Sequence, residues 1–440
     1  MTNVRIPWGH WYENGLHELA FPDSWKVTVA KMDDAPSIGN DEIERQLGEP
    51  IGTPPLELLA KGKNSAAIVV DDISRPTRGA EILPLIIKKL ETAGINRDKV
   101  VIILALGSHR PMTRQDILKK VGPEILETVE VLNHHPFYDL VDVGISRCGN
   151  PIRINRTFMA RELKIVVGTI LPHDWAGFGG GAKNIIPGIG GIETLEANHR
   201  AIVPIDGREK IITSYLGNPE NPLREDMEDI ARKVGLDFIV NVVVNSKLEI
   251  AGLFAGDVVE AHREGVKLAR RVFKTKTPLN VSVAVCNAYP KDTELQQVGN
   301  ALNPLGDVDI PVVSEDGTVV LTTASSEGVG FHSLAGPGMK LFVPFDISFG
   351  QKLKGRRWML YSPNLSLADV RRYYHGPVTN FYNDWGKLID VLKDIHGNYA
   401  NVVVFPQGPM QLVSLEPPGG SGGGSEARQR YSTVAQPQAE

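Results

Sequence analysis

The sequence predicts an α/β protein with two domains, mainly parallel sheets and an active-site cleft between the domains. Short apolar segments bounded by turn residues recur along the chain, and such segments are typical of parallel strands covered on both faces. Helical patterns lie between several of them, and alternation of strand and helix indicates α/β architecture. Polar motifs directly follow the predicted strands, where open α/β sheets bind their ligands.

The predicted strands are rich in Val, Ile and Leu. They cover residues 66–70, 100–106, 164–169, 281–285, 318–322 and 401–405. The predicted helices have apolar side chains at helical spacing, and the first ends at a glycine, as helices commonly do. They cover residues 80–93, 258–273 and 384–395. A further short helix is predicted at 193–199.

The domain organisation follows from a change in composition near KTKTP at 274–278, which reads as a linker. We therefore expect an N-terminal cofactor-binding domain at 1–274 and a C-terminal α/β domain at 275–416. The last helix or strand of the second domain is left open to return to the first. The Gly/Ser-rich tail at 417–440 is expected to be disordered.

Composition excludes several function classes. The formal net charge of −5 gives no basic surface for nucleic acid or for an acidic membrane. Cys148 and Cys286 are far apart and form no metal-type pair, which fits a reducing compartment. The N-terminus lacks the apolar stretch of a secretory signal, and no run of about 18 apolar residues occurs. We expect a cytoplasmic protein that binds neither nucleic acid nor membrane; the oligomeric state is left open.

Concentrated polar segments come directly after five predicted strands. They are DDISRPT at 71–77, GSHR at 107–110, PHDW at 172–175, NAYPKD at 287–292 and SSEG at 325–328. Because they come from both halves of the chain, we expect them to meet in one cleft between the two domains.

The most unusual segment runs from His173 to Arg200. Its glycines allow the backbone to approach a ligand closely and to present N–H groups to an anion such as phosphate. The segment is neither a Walker A loop nor a dinucleotide fingerprint. Lys183 follows the glycines directly and has three readings: a solvated lysine, a phosphate clamp or a covalent attachment point.

Three histidines lie on segments predicted to face the site: His109, His173 and His199. Imidazole is the side chain whose ordinary pKa is nearest neutrality, and it is also a common metal ligand. The set fits one metal ligand and an acid/base pair. Spacing alone does not decide which histidine performs which task.

Taken together, DDISRPT, GSHRPMT at 107–113 and HDWAGFGGGAKNIIPGIGG with the later NH at 198–199 resemble the nickel-dependent lactate racemase family. The resemblance extends from about residue 10 to about residue 415, and its centre is the pattern His-x9-Lys-x15-His. It implies two domains and a nickel-pincer nucleotide. This cofactor is a pyridinium mononucleotide with a 3-thioamide and a 5-thiocarboxylic acid, whose two sulfurs and one ring carbon bind Ni(II).

The resemblance also implies roles for individual residues. Lys183 would carry the cofactor as a thioamide, and His199 would be the fourth nickel ligand. His109 and His173 would be the catalytic acid/base pair, and Arg75 would bind the substrate carboxylate. The residues implied to lie near the ribose and phosphate of the cofactor are Asp72, Thr77, Gly179, Gly180 and Gly181.

This residue set suits the implied chemistry, which is racemisation or epimerisation of a small 2-hydroxy acid. Its carbinol C–H is weakly acidic, so simple deprotonation is difficult. If one histidine removes the hydroxyl proton while hydride leaves the carbon, a planar 2-keto acid results, and hydride returned to the other face inverts the centre. The family also implies cofactor-biosynthesis proteins as partners.

The chain departs from the family at one substrate position. The family places a glutamine and, three residues later, a substrate-facing lysine after the second-domain strand. Gln296 matches the glutamine as a substrate-binding residue, but Gly299 stands where the lysine is expected. We therefore predict that lactate itself is not the substrate and that Lys291 or Gln297 compensates. The alternative is a shift in the alignment of these segments.

Two other function classes are weighed. A nucleotide-dependent oxidoreductase is disfavoured, because no strand–GxGxxG–helix with a later acidic residue occurs. A non-catalytic nickel- or nucleotide-binding protein is disfavoured, because all three histidines and Lys183 are present. Nickel content together with an absorbance band of the cofactor would separate these classes.

Overall fold

The computed structural model describes residues 1–200, 214–305 and 312–415, together with the backbone of the strands at Ile202–Ile205 and Arg208–Ile211. It contains two six-stranded sheets. The first has the strand order Ile250–Gly256, Phe238–Val244, Leu163–Thr169, Ala66–Asp71, Val100–Ala105 and Glu130–Asn133. All neighbours are parallel except the first two strands, which are antiparallel.

The first sheet is covered on both faces, as its continuous apolar strands predict. In the central strand Ala66–Asp71, Ile68 and Val70 belong to one hydrophobic core, whereas Ala67 and Val69 belong to another. Successive side chains of a strand point to opposite faces, so an unbroken apolar segment is required here.

The second sheet is entirely parallel, with the strand order Phe381–Tyr382, Arg357–Tyr361, Val313–Thr322, Val281–Asn287, Asn401–Phe405 and Lys26–Val29. It too has a core on each face. Its last strand comes from the N-terminus, so the predicted domain 1–274 contains a strand of the second sheet. The division near residue 274 stays a prediction.

The predicted linker at 274–278 is largely a strand, Lys274–Thr277, which pairs in parallel with Leu412–Leu415. Just before the latter strand, Met410 packs in a core of the first sheet. Four antiparallel hairpins complete the strands. They are Thr2–Pro7 with Leu16–Phe21, Leu140–Ile145 with Pro151–Asn155, Pro172–His173 with Gly177–Phe178, and Ile202–Ile205 with Arg208–Ile211.

The helices cover the sheets and connect the strands. The α-helices are Gly39–Gly48, Leu56–Ala60, Gly79–Thr92, Arg114–Val121, Pro123–Thr128, Arg156–Met159, Ile192–His199, Pro222–Lys233, Glu260–Val272, Phe345–Lys352, Leu367–Val370 and Trp385–His396. The 3₁₀ segments are Arg97–Lys99, Gly181–Asn184, Leu295–Leu305, Arg371–Tyr373 and Gly408–Met410.

The six predicted strands and four predicted helices are all confirmed, with ends that differ by a few residues. None of the helices in the described part of the chain combines the length and apolar character needed to cross a bilayer. The tail at 417–440, which the sequence predicts to be disordered, lies outside the described residues.

Candidate active site

A cavity of about 370 Å³ is lined by segments that follow strands of both sheets. Of the eleven predicted site residues, nine line it. These are Asp72, Arg75, His109, His173, Gly179, Gly180, Lys183, His199 and Gln296. Other residues of the second half that line it are Gln297, Asn300, His332, Ala335 and Lys352. Three of the five predicted motifs, DDISRPT, GSHR and PHDW, therefore meet at this cavity. No residue of NAYPKD at 287–292 or SSEG at 325–328 lines it, so the prediction is wrong for these two motifs.

His109 is held by a buried carboxylate. Its Nδ1 lies 2.9 Å from Oδ2 of Asp72. Burial opposes ionisation of Asp72, but His109 and Arg75 beside it hold the pKa of this carboxyl well below its usual range. An ionised carboxylate only accepts hydrogen bonds, so Nδ1 of His109 carries the proton and donates. Nε2 of His109 then has a free lone pair, as a general base requires.

A buried lysine fixes the loop that carries Asp72. Nζ of Lys120 donates to the backbone carbonyls of Asp72 at 2.8 Å and Arg75 at 2.9 Å, and it pairs with Asp71. Thr77 donates from Oγ1 to Oδ2 of Asp71 at 2.7 Å. Thr77 therefore supports the loop from behind and does not line the cavity.

His173 has the opposite tautomer to His109. Its Nδ1 accepts the backbone N–H groups of Trp175 at 3.3 Å and Ala176 at 3.2 Å. Burial and the nearby cations Lys183 and Lys291 lower its pKa well below the ordinary value, so the ring is neutral. Since Nδ1 accepts, the single proton is on Nε2. One cavity therefore holds an imidazole lone pair on His109 and an imidazole N–H on His173.

His199 presents a neutral imidazole nitrogen. It is the last residue of the helix Ile192–His199, and its Nδ1 donates to the backbone carbonyl of Leu195 at 2.8 Å. Burial and the charge of Lys183 lower its pKa to about 4. The ring is neutral at pH 7, with its lone pair on Nε2. A hydrogen bond from the other ring nitrogen to a carbonyl is the usual support of a ligating histidine.

Cationic side chains gather at this cavity around the nearby carboxylate of Asp72. Within the described residues, neither Lys183 nor Arg75 has an ion pair from its side chain. Burial, Arg75 and Arg224 lower the pKa of Lys183 to about 7, so a large fraction of its amine is uncharged and nucleophilic at neutral pH. Buried positive charge that exceeds the nearby negative charge favours binding of anions.

Arg224 stabilises the glycine loop at 177–181 by hydrogen bonds to its backbone. This fully buried side chain donates to the carbonyls of Gly180 at 3.2 Å and Phe178 at 3.3 Å. Gly180 and Gly181 have φ values of +72° and +56°, which residues other than glycine rarely adopt. Gly181 faces Arg224 and does not line the cavity.

Comparisons with known proteins show the family of this chain. Residues 12–210 match the family model described as the lactate racemase N-terminal domain. A lactate racemase of Lactiplantibacillus plantarum is 30% identical over 302 residues, which cover 67% of this chain and 69% of the relative. The chain belongs to the lactate racemase family. It is a racemase, and hence an isomerase.

Further relatives cover more of the racemase. A lactate racemase of Thermoanaerobacterium thermosaccharolyticum is 27% identical over 456 residues, covering 94% of this chain and 99% of the relative. The lactate racemase apoprotein structure from that organism has a TM-score of 0.71 at 23% identity, covering 94% and 100% of the two chains. A Thermotoga maritima protein has a TM-score of 0.63 at 17% identity, covering 87% and 100%. These two structures support the fold.

The substrate-side residues of the racemase differ from the sequence expectation in one respect. Gly299 does not line the cavity, and a Cβ built there would lie 3.4 Å from the ring of Phe349. The next residue, Asn300, does line it. Its Oδ1 accepts from Nζ of Lys291 at 3.0 Å, and its Nδ2 donates to the carbonyl of Gln297 at 2.9 Å. Asn300, and not Gly299, therefore faces the cavity.

Lys291 of the racemase is 2% exposed, and no carboxylate within the described residues pairs with it. Burial and the charges of Arg75 and Lys183 lower its pKa well below the ordinary value. Gln296 donates from Nε2 to the carbonyl of Ala335 at 3.2 Å, while its Oε1 is buried with no donor in the described residues. This part of the site therefore offers both hydrogen-bond donors and an acceptor.

One histidine of the racemase site was missed by sequence reasoning. His332 lines the cavity from the second half, with its ring centroid 5.6 Å from that of His109 and 5.8 Å from that of His199. A signal was available, because HSLAG at 332–336 repeats the pattern of HDWAG at 173–177. Lys120 and Arg224 were also missed, and nothing in their sequence neighbourhood distinguishes them from surface cations.

Proposed function

We propose that this racemase inverts the carbinol carbon of a 2-hydroxy acid by proton-coupled hydride transfer with a nickel-pincer nucleotide. The observation that carries the proposal is the pairing of opposite histidine tautomers at one cavity. A lone pair on His109 and an N–H on His173 suit abstraction of a hydroxyl proton and binding of the resulting keto oxygen.

The residues present fit the cofactor. Lys183 provides an amine with a pKa of about 7, as an amide or thioamide linkage requires, and His199 provides one neutral imidazole nitrogen, which suits Ni(II). Gly179 and Gly180 supply a backbone surface for the nucleotide, shaped by Arg224. When bound, the cofactor would accept a hydride from the substrate and return it.

The protein's own residues then handle charge and protons. Arg75 binds the substrate carboxylate, because its planar guanidinium matches both oxygens. His109 takes the hydroxyl proton at Nε2, and Asp72 stabilises the imidazolium that forms. His173 donates from Nε2 to the carbinol oxygen. Burial and the nearby cations lower its pKa and keep this ring neutral, so His173 contributes a hydrogen bond to the oxygen.

We further propose that the substrate is longer than lactate and carries polar groups beyond C2. Gln296, Gln297 and Asn300 line one side of the cavity, and Lys291 lies behind Asn300. A hydroxyl both donates and accepts, so it suits the acceptor Oε1 of Gln296 and the donors of this side together. A polyhydroxy acid meets this requirement better than the methyl group of lactate does.

The test is to load the protein with cofactor and screen 2-hydroxy acids by chiral chromatography, with nickel content and the cofactor absorbance band measured in parallel. Racemisation or epimerisation of at least one acid is expected. Stoichiometric nickel with no inversion of any acid would contradict the proposal.

Loading requires cofactor-biosynthesis proteins, which we propose as partners. We also propose a cytoplasmic location, supported by two unpaired cysteines, Cys148 and Cys286.

A further inference from the structure

The two halves of the racemase each place a histidine at the cavity by the same local turn. Nδ1 of His332 accepts the N–H groups of Leu334 at 3.2 Å and Ala335 at 2.9 Å. The residues of HDWAG do the same at His173, again from the second and third residues after the histidine. The turn therefore fixes the tautomer of His332 with its proton on Nε2.

The N–H of His332 reaches the segment that carries the candidate base. Its Nε2 lies 2.8 Å from Oγ of Ser108, so His332 donates and Ser108 accepts. A second contact joins the same segments, because the N–H of Ser333 donates to the carbonyl of Ser108 at 2.8 Å. These bonds hold the Ser108 side chain in one orientation.

Ser108 then has a hydroxyl proton to donate. Its side chain lines the cavity and is 3% exposed, and no acceptor for its O–H lies within the described residues. A buried polar hydrogen without an acceptor is unfavourable, so a partner is expected to come from a ligand. The ring of His332, which donates to Ser108, lies near both the candidate base His109 and the candidate metal ligand His199.

We propose that Ser108 and His332 form a donor pair that binds an oxygen of the substrate beside His109. Ser108 donates to the oxygen, and His332 is a positioning residue that acts through Ser108. The ligand class is a 2-hydroxy acid and its 2-oxo acid, because either presents an acceptor oxygen next to the carbon that reacts. This inference rests on the proposed function.

Substitution by asparagine separates the two roles of His332, which are to accept the backbone N–H groups of its turn and to donate to Ser108. In His332→Asn, the side-chain oxygen can accept the same backbone N–H groups and keep the turn, as asparagine does in Asx turns. The shorter side chain does not reach Ser108, so only the contact to Oγ is lost. Ser108→Ala removes the hydroxyl itself. The double variant Ser108→Ala/His332→Asn tests whether the residues act as one unit.

For the loaded enzyme, kcat/KM is expected to fall roughly tenfold in each single variant, as for loss of one hydrogen bond. The double variant is expected to fall no further than Ser108→Ala alone. Nitrogen NMR of His332 is expected to show the proton on Nε2 in the wild type. An unchanged kcat/KM in His332→Asn, or additive losses in the double variant, would overturn the proposal.

A binding measurement keeps this test separate from the proposed function. Calorimetric titration of the holoenzyme with a 2-oxo acid needs no turnover. A roughly tenfold weaker affinity in both single variants supports the donor pair even if the wild type inverts no acid. Unchanged affinity in Ser108→Ala overturns it even if racemisation is observed.

Discussion

Nδ1 of His109 lies 2.9 Å from Oδ2 of Asp72, and this contact decides which nitrogen of the ring faces the cavity. The carboxylate acts on the base by holding its tautomer and by stabilising its protonated form. Aspartate is therefore required for charge as well as for shape, which an isosteric amide tests.

Asp72→Asn should lower kcat by a factor on the order of 10²–10⁴, since an amide can donate to Nδ1 and move the histidine proton to Nε2. Nickel content should be unchanged. Steady-state kinetics of the loaded variant are the measurement. A kcat within threefold of the wild type would show that His109 does not depend on this carboxylate.

Lys183 of the cofactor-free protein should react with an amine-acylating reagent at a rate that rises with pH through about 7, because the deprotonated fraction grows above its pKa. An ordinary lysine rises near pH 10.4. Peptide mass spectrometry follows the site. The matched Lys183→Arg variant should show neither this label nor the cofactor adduct; an adduct that survives assigns attachment elsewhere.

His199→Ala should lose bound nickel while the fold remains intact, because its Nε2 is the lone pair that the helix Ile192–His199 presents. His173→Ala is the control, since it should keep nickel and lose activity. Metal analysis and circular dichroism distinguish the cases. Equal nickel content in the two variants would exclude His199 as the ligand.

Arg224→Met should destabilise the protein by about 1–3 kcal/mol, because buried acceptors lose a donor while Glu228 keeps its pair with Arg263. It should also impair loading, because the carbonyls of Gly180 and Phe178 lose their donor. Arg263→Met removes the other contact to Glu228 but none to the loop. Normal loading in both variants would show that the loop does not need Arg224.

Lys291→Met should lower kcat/KM for polyhydroxy acids about tenfold or more and leave lactate nearly unchanged, because the lysine orients the amide of Asn300. Gly299→Ala is the control outside the cavity, and it should leave kcat/KM unchanged for polyhydroxy acids and for lactate. Equal losses for short and long acids would mean that Lys291 serves the common carboxylate.

Much of this architecture can be predicted from local sequence patterns. The strand Ala66–Asp71 is predictable because both its faces are buried, and Asp72 follows at the edge where ligands bind. His109 and His173 were predictable for the same reason, whereas the role of His199, at the end of a helix, was implied by the family resemblance. Their tautomers were not predictable, since each depends on backbone groups such as the carbonyl of Leu195.

Other features depend on contacts between distant segments. The strand Lys26–Val29 is only four residues long and alternates exposed with half-buried positions, so its place in the second sheet is set by Asn401–Phe405. The sequence did not show that Asn300 lines the cavity while Gly299 does not, because a 3₁₀ segment, Leu295–Leu305, sets which side chain faces it.

The pairing of Lys26–Val29 with Asn401–Phe405 also constrains how the chain is made. The N-terminal strand is synthesised first, but its partner strand leaves the ribosome only near the end of translation. The first sheet can form while synthesis continues, whereas an edge of the second must wait, with apolar side chains unprotected. Such distant pairings slow folding and favour aggregation, so recombinant yield should respond to translation speed and to chaperone supply.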